Sequence, residues 1–224
     1  ALSKKIAGCE IKSVAVSIDG ADAETHDWIR GVKGSFDKAV NAVKNLVSVN
    51  IYPQIIMTVM RENKDQVQKM AFMAAKLGAS SVKYNVVQPT SRGAVLHKEE
   101  DALSISEMIS LGHMVENQLI SKVEIKLIFD YPIAFRSLER VASNDGCGVC
   151  GILNILGVIA NGSYALCGIG ENVPELVFGD VREDSLVSIW KENEFLQAIR
   201  GGLPQRLEGI CSRCLMKGHC LGSC

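Results

Sequence analysis

Ser13-Val14-Ala15-Val16-Ser17-Ile18-Asp19-Gly20 is short, rich in β-branched residues and closed by Asp-Gly, the pattern of a strand running into a turn. Downstream, Ser35 can cap a helix whose apolar positions Phe36, Ala39, Val40, Val43 and Val47 recur every three or four residues. The pattern then repeats. Tyr52 to Val59 reads as a strand. Val67, Met70, Ala71, Ala74 and Leu77 mark one face of a helix that follows Asn63 and stops at Gly78. Ser81 to Val87 is a third strand, about Ser104 to Leu119 a helix, and Val123 to Phe129 a fourth strand. Strands separated by amphipathic helices imply βαβ units and a parallel sheet. Four strands do not close a barrel, so they form either a small open sheet or the later part of a larger (β/α) barrel. The abrupt start, Ala1-Leu2-Ser3, favours the partial barrel.

After Ser143 the pattern changes. Gly157 to Ala160, then Asn161-Gly162, then Ser163 to Leu166 reads as a tight hairpin on a type I′ turn. A short helix is expected from Ser185 to about Asn193, and beyond it lies a run of cysteines and glycines without periodicity. The expected domains are therefore 1–143, the partial barrel, and 144–224, a small cysteine-rich domain.

Composition narrows the function classes. With 224 residues and 47% apolar content the chain buries a real core. Its formal net charge is −1 with mixed signs, which gives no field suited to nucleic acid or an anionic membrane. The longest apolar stretch, Ile152 to Ala160, is about half the ~20 residues that span a bilayer.

Seven of the eight cysteines lie between Cys147 and Cys224; Cys9 stands apart. The last four read Cys211-x2-Cys214-x5-Cys220-x3-Cys224, and upstream Cys147-x2-Cys150 is followed by Gly162-x4-Cys167. Thiolates are soft ligands, and Cys-x-x-Cys lets two sulfurs converge on one centre from a single turn. Spacing alone leaves structural zinc and iron–sulfur clusters equally open. It favours metal over disulfides, because a chain with this much core has no need of staples.

From Cys150 onward, the pattern Cys-x(9–15)-Gly-x4-Cys followed by Cys-x2-Cys-x5-Cys-x3-Cys resembles the SPASM domain, a C-terminal extension of many radical SAM enzymes. Gly179-Asp180-Val181 and Ser185-Leu186-x-x-Ile189-Trp190 resemble the stretch that joins its two cysteine groups. Ser17-Ile18-Asp19-Gly20, His26-Asp27-x-x-Arg30, Gly34-Ser35-Phe36 and Pro89-Thr90-Ser91-Arg92-Gly93 resemble, in that order, the second half of a radical SAM barrel. The family's Cys-x3-Cys-x2-Cys motif is not among these 224 residues, so the chain as written is expected to be an N-terminally shortened piece, cut also at Cys224, that does not cleave S-adenosylmethionine.

The resemblance implies a cytoplasmic enzyme that modifies a ribosomal peptide or small protein by 5′-deoxyadenosyl radical chemistry, served by an electron donor protein. A tetrapyrrole-modifying relative, or a non-catalytic iron–sulfur or zinc scaffold, is the alternative. It implies two auxiliary [4Fe–4S] clusters. Cys147, Cys150, Cys167 and Cys224 would hold the first, and Cys211, Cys214 and Cys220 would supply three ligands of the second. Ser17, Asp19 and Arg30 would contact S-adenosylmethionine. In sulfatase-maturing relatives an aspartate follows the hairpin cysteine, whereas Gly168 follows Cys167 here, so that dehydrogenation route is not implied. His26, His97 and His113 are expected to be surface or helix residues rather than ligands.

Overall fold

The structure, a computed structural model, describes residues 2–9, 11–89, 92–143, 151–168, 170 and 173–222. These divide into two compact units, Ala1–Tyr131 and Pro132–Cys224.

The first unit opens with a short helix, α1 (Leu2–Ala7), and then alternates: β1 (Ala15–Ser17), α2 (Ala23–Arg30), α3 (Ser35–Val47), β2 (Gln54–Val59), α4 (Val67–Leu77), β3 (Ser81–Val86), α5 (Arg92–Lys98), α6 (Ile105–Met114) and β4 (Lys126–Asp130). The four strands form one parallel sheet in the order β1-β2-β3-β4. One register row runs Ser17, Ile56, Lys83, Ile128; the next runs Met57, Tyr84, Phe129.

Successive side chains on a strand face opposite ways, and burial follows that alternation. Ile55, Met57, Val59, Val82, Tyr84, Leu127 and Phe129 are buried, together with Val43, Leu46, Met70, Ala71 and Ala74 of α3 and α4. On the other face Ser17, Gln54, Thr58, Lys83, Asn85 and Asp130 are partly or fully open beside Ile56 and Ile128, so the sheet has one apolar side and one mixed, largely polar side. Tyr84 can be buried because its hydroxyl donates to Val67 O at 2.8 Å, and that burial pushes its phenol above the ordinary value.

Two local expectations differ from what is found. The helix expected to run to Leu119 leaves α-geometry at Met114 and continues as a π-turn, Val115–Leu119. The wider turn buries Val115, Glu116 and Leu119 together, and the Tyr131 hydroxyl donates to Glu116 Oε2 at 2.9 Å, giving the buried carboxylate a partner. At the start of α3, Ser35 is the first helical residue rather than the cap. The capping acceptor is Asp27: it takes N–H bonds from Gly34 and Phe36 and the Ser35 hydroxyl, and these hold its carboxyl below the usual range.

The second unit contains α7 (Leu138–Ser143), a three-stranded antiparallel sheet of β5 (Gly157–Val158), β6 (Ser163–Ala165) and β7 (Val177–Asp180), then α8 (Leu186–Glu192), α9 (Glu194–Gly202), α10 (Gly209–Ser212) and α11 (Lys217–Cys220). The expected hairpin is present, but not on a type I′ turn. Gly162 N–H donates to Ile159 O, and the positive φ, 95°, falls on Gly162, so Ala160 and Asn161 form the bend. Asn161 Oδ1 accepts the Ser163 N–H and stabilises this arrangement. β7 joins the hairpin across a bulge at Tyr164/Ala165, and Phe178 on β7 stacks against Phe195 on α9 with ring centroids 5.9 Å apart.

Candidate functional site

Asp19 lies in the turn between β1 and α2, and every polar atom of it is engaged. Its N–H donates to His26 Nδ1 (3.0 Å), its carbonyl accepts from Asn63 Nδ2 (2.8 Å), and Oδ1 accepts the Thr58 N–H (2.8 Å). Oδ2 pairs with Arg30 Nη2 at 2.6 Å. The turn is pinned to the C-terminal end of β2 and to the middle and C-terminal end of α2. Gly20 permits this closeness, since a Cβ there would stand 2.6 Å from His26 N.

The structure thus brings Asp19 and Arg30 together. Ser17, at the end of β1, is exposed, and among the described residues no hydrogen bond links it to either of them. The Asp19 side chain is 5% exposed and that of Arg30 39%, so Arg30 is the member of the pair that a ligand can reach.

Sequence reasoning missed two residues of this knot. His26 is a helix residue, as expected, but it is 2% exposed rather than on the surface. Because Nδ1 accepts an N–H, its proton sits on Nε2; burial holds its pKa below the ordinary value, and Phe36 lies edge-on to the ring. Asn63, fully buried, donates to Asp19 O and Thr58 O and accepts the Met60 N–H. The signal was a polar residue at a strand-to-helix junction, which in sequence resembles an ordinary cap.

In the second unit Cys167 follows β6, Cys211 lies in α10, Cys214 in the next turn and Cys220 at the end of α11. All four are free thiols of intermediate exposure. The Met216 N–H donates to Cys214 Sγ at 3.4 Å. Cys147, Cys150 and Cys224 lie outside the described residues, as do Thr90 and Ser91 of the Pro89–Gly93 motif. Among the described residues no three His, Cys, Asp or Glu side chains converge as a metal site.

A single arginine braces this unit. Arg200 Nε donates to Leu153 O at 3.2 Å, Nη1 donates to Trp190 O, and the guanidinium carbon lies 3.8 Å from the centroid of the Trp190 ring. Its Nη2 is buried and has no hydrogen-bond partner among the described residues. The unit therefore offers free thiols at metal spacings, one of them already accepting an N–H, together with an unanswered cationic donor. That donor set suits a sulfur-ligated, anionic iron–sulfur cluster.

Comparison with known proteins agrees with this chemistry. Residues 147–215 match the SPASM model, described as an iron–sulfur cluster-binding domain. The chain is 29% identical to an AdoMet-dependent heme synthase of Methanosarcina barkeri, over 98% of this chain and 64% of that protein. It is 28% identical to the mycofactocin maturase MftC of Mycolicibacterium smegmatis, over 100% of this chain and 55% of the relative. The chain thus spans less than two thirds of the length of either. In fold it superimposes on Streptococcus suis SuiB bound to its precursor peptide SuiA with a TM-score of 0.68 at 14% identity, covering 99% of this chain and 51% of SuiB. SuiB has also been solved with S-adenosylmethionine. This chain carries a SPASM iron–sulfur domain in its second unit, and as a whole it has the α/β fold of the radical SAM proteins that bear one.

Proposed function

We propose that the chain supplies the later barrel strands, residues 1–143, and the SPASM domain, 144–224, of a cytoplasmic radical SAM enzyme that modifies a ribosomal peptide. The carrying observation is the SPASM match over 147–215, within which Cys167, Cys211 and Cys214 are free thiols. Similarity to the mycofactocin maturase and the fold shared with SuiB support a peptide substrate.

When bound, S-adenosylmethionine and its reducing cluster supply a 5′-deoxyadenosyl radical for hydrogen abstraction from the substrate. This chain's residues hold and orient. Ser17 offers a hydroxyl at the end of β1. Arg30, fixed by Asp19, offers a guanidinium to the cofactor's carboxylate. Cys147, Cys150, Cys167 and Cys224 hold one auxiliary cluster, and Cys211, Cys214 and Cys220 hold three corners of a second. A one-electron reductant is required, so an electron donor protein is a partner. The mixed charge of the chain gives nucleic acid no role, and among the described residues no helix is long and apolar enough to cross a membrane.

The similarity to a heme synthase favours a second reading, a tetrapyrrole substrate on the same architecture. One assay separates the two. The protein is prepared with an N-terminal segment bearing Cys-x3-Cys-x2-Cys, reduced with dithionite, and supplied with S-adenosylmethionine and either a precursor peptide encoded beside it or a carboxylate-bearing tetrapyrrole. Release of 5′-deoxyadenosine with a mass change in the peptide supports the first reading; a mass change in the tetrapyrrole alone supports the second. No 5′-deoxyadenosine under any condition contradicts both.

A further inference from the structure

The more polar face of the four-stranded sheet carries a row of side chains at the C-terminal ends of its strands. Thr58 on β2, Asn85 on β3 and Asp130 on β4 are register partners, and Lys83 lies two residues before Asn85 on the same face. The Thr58 N–H is bonded to Asp19, so the row begins beside the Asp19–Arg30 pair and steps away from it by about 5 Å per strand. Ligands of parallel α/β sheets gather at this end of the strands.

Two acceptors in the row call for a donor-rich ligand. Asn85 Oδ1 is buried and has no hydrogen-bond partner among the described residues. A buried carbonyl oxygen rarely stays unpaired in a native protein, and the side chain as a whole is partly exposed, so its amide can turn to meet an incoming N–H. Asp130 Oδ2 pairs with Lys83 Nζ at 2.7 Å, and the Asp130 side chain is 46% exposed against 33% for Lys83. The carboxylate is therefore the member a ligand reaches, and its remaining lone pairs take a second donor without displacing Lys83. A tetrapyrrole bearing several carboxylates brings acceptors and negative charge, which neither Asn85 Oδ1 nor Asp130 answers. A peptide segment brings backbone N–H groups and basic side chains, which suit both. Resting on the peptide reading above, we propose that Asn85 and Asp130 bind the peptide substrate beside the cofactor. Asn85 Oδ1 accepts a backbone N–H of the peptide, and Asp130 pairs with one of its lysine or arginine side chains.

The test uses the enzyme carrying its Cys-x3-Cys-x2-Cys segment, with S-adenosylmethionine and the precursor peptide encoded beside it. Asn85→Leu removes the acceptor at nearly constant size and is expected to raise the peptide KM about fivefold; Asp130→Asn is expected to raise it about tenfold. The KM for S-adenosylmethionine is expected to rise less than the peptide's in both. Peptides in which each lysine or arginine is replaced in turn by glutamine give the second readout. The parent is expected to lose about tenfold in kcat/KM at one such position, and Asp130→Asn to be indifferent to that same replacement, a coupling that a merely structural role would not produce. A peptide KM that stays put in both variants, or rises no more than that of S-adenosylmethionine, would overturn the proposal, as would the absence of any coupled position. If Asn85→Leu does not fold, the Asp130→Asn cycle decides alone. A parent that modifies no peptide contradicts the peptide reading and takes this assignment with it; a parent that modifies the peptide while both variants behave like it overturns this assignment only.

Discussion

Arg30 and Asp19 form an ion pair, Nη2 to Oδ2 at 2.6 Å, in which the carboxylate is buried and the guanidinium is partly open to solvent. It joins the turn after β1 to the last turn of α2, where a basic side chain also complements the helix dipole. Arg30→Met leaves a buried carboxylate with one fewer partner and is expected to cost about 2 kcal/mol, less than a fully buried pair because Arg30 is partly solvated. Asp19→Asn keeps an acceptor for Thr58 N–H and should cost less. Urea denaturation of the two variants checks the order; equal losses would show that the pair is not the main restraint on the turn.

Asn63 satisfies three buried backbone groups with one side chain: the Met60 N–H and the carbonyls of Asp19 and Thr58. Asn63→Ala strands all three, and each unsatisfied group costs about 1–3 kcal/mol less whatever water recovers. A loss of about 3 kcal/mol is expected by urea denaturation. A loss below about 1 kcal/mol would mean that water replaces the amide freely and that the knot around Asp19 is not tight.

His26 gives the first unit a pH dependence of definite sign. Its pKa in the folded protein lies below the ordinary imidazole value of 6.5, chiefly through burial. Above that value both states are neutral and the full stability is present. As pH falls below 6.5 the unfolded chain binds the proton first, so stability declines until the folded state's own lowered pKa is reached, with a slope of at most about 1.4 kcal/mol per pH unit. Asp27 and Asp22, whose carboxyls are also held low by N–H bonds, act with the same sign below 3.8. Urea midpoints measured from pH 7.5 to 5 should fall in the parent and fall less in His26→Gln.

The strands of the first unit were legible because each is a short run rich in β-branched residues set between helical patterns, and α3 and α4 because each carries an apolar stripe. Helix α2 was not. Its sequence, Ala-Glu-Thr-His-Asp-Trp-Ile-Arg, buries only His26, so the face it packs with carries a polar residue rather than an apolar stripe. Strand β7 is four residues long and holds its place through a bulge and the Phe178–Phe195 contact, neither of which has a periodic signature. At the candidate sites, spacing singled out the cysteines and the resemblance singled out Ser17, Asp19 and Arg30. His26 and Asn63 were read only as a helix residue and a helix start, and Arg200 was not singled out, because their bonds to backbone atoms leave no periodic mark in the sequence.

The proposed ligand sets predict unequal clusters in this chain. Cys147, Cys150, Cys167 and Cys224 make four thiolates, whereas Cys211, Cys214 and Cys220 make three and leave one iron to an exogenous ligand. Cys167→Ala should therefore remove the cluster that better survives desalting, while Cys214→Ala should remove the more labile one. Iron retained per chain after gel filtration measures this, and the reverse pattern would require the sets to be exchanged.

The most direct measurement is the metal content of the chain purified without oxygen. The account predicts a brown protein with broad charge-transfer absorption, iron and acid-labile sulfide in equal amounts, and a [4Fe–4S] EPR signal after reduction. A colourless protein containing stoichiometric zinc and no sulfide would contradict it.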